Sequence, residues 1–137
     1  MSFGDKYRFS QKSRSKLKDV HPDLVKVVIR AMSFQVMDFS ILEGLRSFER
    51  QQSLVRKGAS KTLNSKHLKQ NDGFSHAIDI APYPIDWQDH SRFYILNGLM
   101  RAAASLEGVK IRTGADWDSD SLTQDQSFHD LPHYEIT

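Results

Sequence analysis

After His21-Pro22-Asp23, apolar residues recur at helical spacing: Leu24, Val27, Val28 and Ala31, with Met32 completing the stripe. A stripe of this period, opened by a proline in the first turn, predicts an amphipathic helix. From Asp38 to Glu43 the pattern changes to alternation, with Phe39 and Ile41 on one side, and predicts a strand ending at Gly44. Ser47 is placed as the N-cap of a second helix and Gly58 as its stop. Residues 59–75 are polar, contain Asn71-Asp72 and Gly73, and predict a long loop. Loops beyond about 12–15 residues in a compact domain are commonly functional. His76 to Ala81 predicts a strand stopped by Pro82. A third helix follows from Asp89 to Leu106, with Ile95, Leu96, Leu99, Met100 and Ala103 as its inner face and Gly108 as its end. Val109 to Ile111 predicts a strand, residues 114–131 an acidic loop, and His133 to Ile136 a last short strand.

No Gly-rich phosphate loop follows any of these strands, which argues against the doubly wound nucleotide folds. The element order predicts an α+β fold, with helices on one side of a small, mainly antiparallel sheet. No repeat, low-complexity run or linker interrupts the 137 residues, so one domain spanning 1–137 is expected.

Composition changes this picture in two ways. Cysteine is absent, so disulfides, thiolate zinc sites and cysteine nucleophiles are excluded, and any metal must be bound by His, Asp or Glu. The net charge of +2 conceals an asymmetry: residues 1–70 hold 15 Lys/Arg against 6 Asp/Glu, and residues 71–137 hold 4 against 11. The basic half is either a solvated face or an attractor for an anionic polymer, nucleic acid or cell-wall material. The acidic half suits a cation. The opening MSFGDKYRFSQKSRSK has no apolar core of the kind a secretory signal needs, and no stretch approaches the roughly 18 apolar residues of a membrane span. Synthesis in the cytosol is expected, with release by another agent if the protein acts outside.

Three segments carry candidate chemistry: Ser65-Lys66-His67, His76-Ala77-Ile78-Asp79 and Asp130-Leu131-Pro132-His133. A catalytic zinc takes about three protein ligands and keeps an open position for water. Strand alternation puts Ala77, Asp79 and Ala81 on one face and His76, Ile78 and Ile80 on the other. His76 and Asp79 then point apart, which favours His67 as the partner of Asp79. On the last strand His133 and Glu135 share a face, so His133 enters the same site. Asp130, three residues earlier across a proline turn, is placed beside a metal without binding it, where a general base stands.

Ser-x-His, Ala-x-Asp and Asp-x-Pro-His in this order resemble the zinc peptidases of the D-Ala-D-Ala carboxypeptidase and VanX/VanY type, and among them the phage L-alanyl-D-glutamate endopeptidases, which act as endolysins. The resemblance extends through Val20-His21-Pro22-Asp23-Leu24, Glu43-Gly44-Leu45-Arg46-Ser47, Ala81-Pro82, Ile85-Asp86-Trp87, Gly114-Ala115-Asp116-Trp117 and His133-Tyr134-Glu135. It implies a Hedgehog-like sheet, zinc on His67, Asp79 and His133, Asp130 as acid/base, and Arg46 as the group that polarises the scissile carbonyl. A guanidinium aimed at a developing oxyanion is a usual stabiliser. The implied activity is hydrolysis of the L-Ala–D-Glu bond of peptidoglycan stem peptides by a monomer. It would be made in the cytoplasm of an infected bacterium and would act on the cell wall after release, without membrane insertion. Two features depart from the family pattern: extra residues between Leu68 and Ser75, and Asp where many relatives use Glu as the acid/base.

Asp116, Asp118 and Asp120 alternate and Asp125 follows, so this loop is either a regulatory Ca²⁺ site or a solvated acidic segment. Ser121 and Ser127 stand where an EF-hand would need Gly and Glu. Trp117 is expected to anchor that loop or to wall the cleft. His21, His90 and His129 are read as capping or surface residues, with His129 the best placed toward substrate. Competing readings are a D,D-carboxypeptidase or dipeptidase on D-Ala-D-Ala, a non-enzymatic cell-wall module, and a nucleic-acid binder. The second is disfavoured by the presence of both Asp130 and Arg46, and the third by the lack of any nucleic-acid motif.

Overall fold

The computed structural model describes residues 5–60, 62–114 and 130–137. Its elements are α1 (Gln11–Ser15), α2 (Pro22–Ser33), β1 (Phe39–Glu43), α3 (Phe48–Arg56), β2 (Ala77–Pro82), α4 (His90–Glu107), β3 (Ile111–Thr113) and β4 (His133–Ile136). The four strands form one antiparallel sheet in the order β1-β2-β4-β3. The α+β architecture read from the pattern is the one observed.

Helix α2 starts where the sequence says it should. Pro22 occupies its first turn, and the His21 side chain caps it by accepting from the Asp23 amide. Its stripe of Leu24, Val27, Val28, Ala31 and Met32 is buried. It packs with α4 against one face of the sheet, meeting Phe39, Ile41, Ile78, Ile80 and Tyr134. These strand residues alternate with Asp79 and His133, so the apolar face makes the core and the other face is left for chemistry.

Three expectations are corrected. The buried face of α4 is Phe93, Leu96, Asn97, Met100, Ala103 and Ala104, while Ile95 is half exposed. The period is right but the face is rotated, because Asn97 is taken inside to reach the Tyr134 hydroxyl. Strand β3 begins at Ile111, where pairing with Ile136 starts, and not at Val109. Pro82 belongs to β2 and pairs with Phe39 at the end of β1. Helix α1 was not expected; it has a Ser10 cap but only Ser13 buried, so no apolar stripe announces it. The candidate calcium residues Asp116, Asp118 and Asp120, with Asp125, Trp117 and His129, lie outside the described residues.

Candidate active site

A β-bulge shapes the chemical face. Ile41 pairs with Ile80, but Glu43, two residues on, pairs with Asp79, so Leu42 is the extra residue. Without it Glu43 would lie over the core face. With it, Glu43 stands beside Asp79. On the other side Asp79 is the register partner of His133, and Glu135 of Arg112. The floor therefore runs Glu43, Asp79, His133 across β1, β2 and β4, and ends at Arg112 on the edge strand β3.

His67 reaches this floor from the long loop. Its amide donates to Ser65 Oγ at 3.1 Å, and its carbonyl accepts from the Arg46 amide at 2.9 Å. The ring is 2% exposed. Nδ1 lies 2.9 Å from the Gly44 carbonyl and Nε2 3.1 Å from Asp79 Oδ1. A carbonyl can only accept, so Nδ1 carries the proton and Nε2 presents its lone pair. His133 lies between two carboxylates: its Nε2 is 2.9 Å from Glu135 Oε1, and its Nδ1 is 3.3 Å from Asp79 Oδ1. The carboxyl of Glu135 stays ionised; burial works against its charge, but the bond to His133 and the positive groups around it hold its pKa below the usual range.

Three electron-pair donors thus converge on one point, and all of them lie within 4.8 Å of one another. Ligand bonds of about 2.0–2.1 Å in a tetrahedron put donor atoms about 3.4 Å apart, close to the spacing found here. The donor set and its tautomers fit a zinc-like cation. Burial disfavours charge on His133, yet Asp79 and Glu135 together push its pKa up to about 9, so a cation bound here would displace a proton from the nitrogen facing Asp79. Asp79 is held well below the usual carboxylate range; its own burial opposes this, and its contacts with His133 and His67 outweigh it.

Arg46 lies beside the cluster, nearly buried. Its Nε is 3.0 Å from Glu43 Oε1, its Nη1 2.7 Å from Gln51 Oε1, and its Nη2 3.6 Å from Asp79 Oδ2. Gln51 is fully buried and donates to Ser60 Oγ at 2.9 Å and the Thr62 carbonyl at 2.6 Å, so one side chain ties α3, Arg46 and the loop together. Sequence reasoning missed Gln51, which sits in a mostly polar helix and carries no motif. It also gave no role to Glu43 or Glu135, although the alternation of β4 places Glu135 next to His133.

Asp130 lines the same cleft of about 650 Å³, together with Arg46, His67, Asp79 and His133. Burial, and then the nearby Asp79 charge, raise its pKa above the usual value. Its backbone is clamped to β3 and β4: its amide donates to the Gly114 carbonyl at 3.0 Å and its carbonyl accepts from the His133 amide at 3.0 Å. A Cβ on residue 114 would stand 1.8 Å from the Asp130 carbonyl oxygen, so only glycine allows this approach. The structure brings His67, Asp79, His133, Asp130 and Arg46 to one cleft. It leaves His76 outside, bonded to Asp72 at 2.7 Å.

A cleft on the free face of a small antiparallel sheet, with donors for a cation beside a carboxyl that holds its proton more tightly than usual, suits attack on an amide carbonyl; the class defined is a small α+β peptidase. Comparison with known proteins narrows it. The phage L-alanyl-D-glutamate peptidase profile matches residues 3–137, and the chain belongs to that family. It is 32% identical over 123 residues to the L-alanyl-D-glutamate peptidase of Escherichia phage T5, covering 88% of each chain. Among solved structures it is similar to the L-Ala D-Glu endopeptidase ChiX of Serratia marcescens, with a TM-score of 0.77 at 31% identity over 96% of this chain and 92% of the other. Among the described residues, no helix is long and apolar enough to cross a membrane.

Proposed function

We propose that this chain, acting as one peptidase domain, is a zinc-dependent endopeptidase that cuts the L-Ala–D-Glu bond of peptidoglycan stem peptides. The observation that carries the reading is the convergence of ligand-capable atoms of His67, Asp79 and His133 in a cleft that also holds Asp130. His67, Asp79 and His133 would hold the metal, and Glu135 and the Gly44 carbonyl would fix the two imidazole tautomers. When bound, zinc polarises the carbonyl and acidifies a water molecule. Asp130 takes a proton from the attacking water and returns it to the leaving D-Glu nitrogen; its raised pKa suits a group that must hold that proton between the two events. Arg46, kept rigid by Glu43 and Gln51, donates to the carbonyl oxygen as its charge grows.

The test is digestion of purified peptidoglycan with mass spectrometry of the new termini. A new D-Glu amine is the expected product. Release of D-Ala would move the protein to the carboxypeptidases, and intact peptidoglycan would remove the reading.

A further inference from the structure

A glutamate has one amine and two carboxyls. When its amine is in the scissile bond and one carboxyl continues the chain, the other carboxylate stays free, a few bonds from the nitrogen that leaves. The substrate of the proposed reaction therefore brings an anion into a cleft already lined by Glu43, Asp79, Asp130 and Glu135. Like charges repel strongly where water is scarce, so such a substrate needs a cation on its amine side.

The sheet order fixes which side that is. Arg46 joins the floor at its β1 end and serves the carbonyl. Asp130, which serves the leaving nitrogen, is bonded to Gly114 just after β3. The amine half of the substrate therefore lies toward β3. Among the described residues, four cations line the cleft: Arg46, Arg50, Lys66 and Arg112. Arg46 and Arg50 are both at the β1 end, with Arg50 Nε 3.3 Å from Glu43 Oε2. Arg112 is on β3, two residues before Gly114, and its register partner is Glu135 on the cleft face. Its side chain is 46% exposed and forms an ion pair with Glu135, Nε to Oε2 at 4.0 Å. Lys66 acts on the same Glu135 charge from the loop side.

We infer that Arg112, supported by Lys66, is the carboxylate-binding subsite that reads the free carboxylate of the D-Glu residue. This rests on the proposed L-Ala–D-Glu activity and names the residue that gives it its selectivity. Arg suits the task because its planar fork matches a carboxylate bidentately.

The test compares two synthetic stem peptides, one with the free D-Glu carboxylate and one with that group amidated, on zinc-loaded protein. Wild type should prefer the acid. Arg112→Gln should raise KM for the acid about 10- to 100-fold, the range expected for one charge-assisted hydrogen bond. It should leave kcat and the amidated peptide nearly unchanged, and Arg112→Lys should recover part of the loss. Equal damage to both peptides would overturn the inference, because it would mean that Arg112 acts only through Glu135 and His133. A wild type without preference would overturn it too. If wild type cleaves neither peptide, the proposed function fails first; if it cleaves both, that reading stands and the subsite alone is judged.

Discussion

Two clusters of two histidines and one aspartate occur among the described residues: His67, Asp79 and His133 in the cleft, and His21, Asp72 and His76 outside it. Their rings are arranged almost alike, with centroids 5.2 Å apart in both pairs and interplanar angles of 69° and 85°. They differ in which ring nitrogens the backbone and carboxylates have already claimed. In the cleft, Gly44 and Glu135 accept from the outer nitrogens of His67 and His133, so the nitrogens facing Asp79 can give way to a cation. In the outer cluster, His21 Nδ1 accepts from the Asp23 amide at 3.1 Å, which leaves the proton on Nε2. His76 Nε2 donates to an Asp72 carboxylate that this bond, above all, holds below the usual pKa range. The Asp23 amide thus keeps a proton on the His21 nitrogen that faces Asp72. Composition and ring spacing alone would not separate the two; the second hydrogen bonds of His67, His133 and His21 do.

The sharpest way to break this comparison is to remove one histidine from each cluster. His67→Ala leaves the cleft two ligands and should lose both zinc and activity, whereas His76→Ala should keep the zinc of the cleft. Metal content of the folded variants decides, and zinc lost from His76→Ala but kept by His67→Ala would reverse the assignment. Asp130→Asn comes next: it should keep zinc and lose about 10²–10⁴-fold in rate, since it removes a proton carrier and not a ligand. A near wild-type rate in the zinc-loaded variant would show another group at work. Glu135→Ala should cost less, about 10–100-fold in zinc affinity or activity, because it frees the tautomer of His133 without removing a ligand. Unchanged zinc affinity and rate would show that Asp79 alone orients that ring.

Much of this was legible in the chain because local rules and tertiary needs agreed. Pro22 after His21, the stripe from Leu24 to Met32 and the Ser47 cap are signals that a helix needs wherever it stands. Strand alternation separated His76 from Asp79, and the structure places them on different clusters. What stayed hidden depends on contacts distant in sequence. The bulge at Leu42 turns Glu43 toward Asp79, yet nothing in the alternation of Phe39 and Ile41 announces it. Gln51 reads as one more polar helix residue until Arg46 and Thr62 are seen to share it. The rotation of α4 follows from Asn97 finding Tyr134, 37 positions away. The need for glycine at 114 comes from the Asp130 carbonyl, which reaches it across a turn of the fold and not along the chain.

The claim that the cleft cluster requires a cation to hydrolyse its substrate is tested most directly by metal removal. Protein stripped by a chelator and freed of it should release no new amines from purified peptidoglycan, and Zn²⁺ added back should restore release. Full activity in the thoroughly metal-free protein would contradict the account.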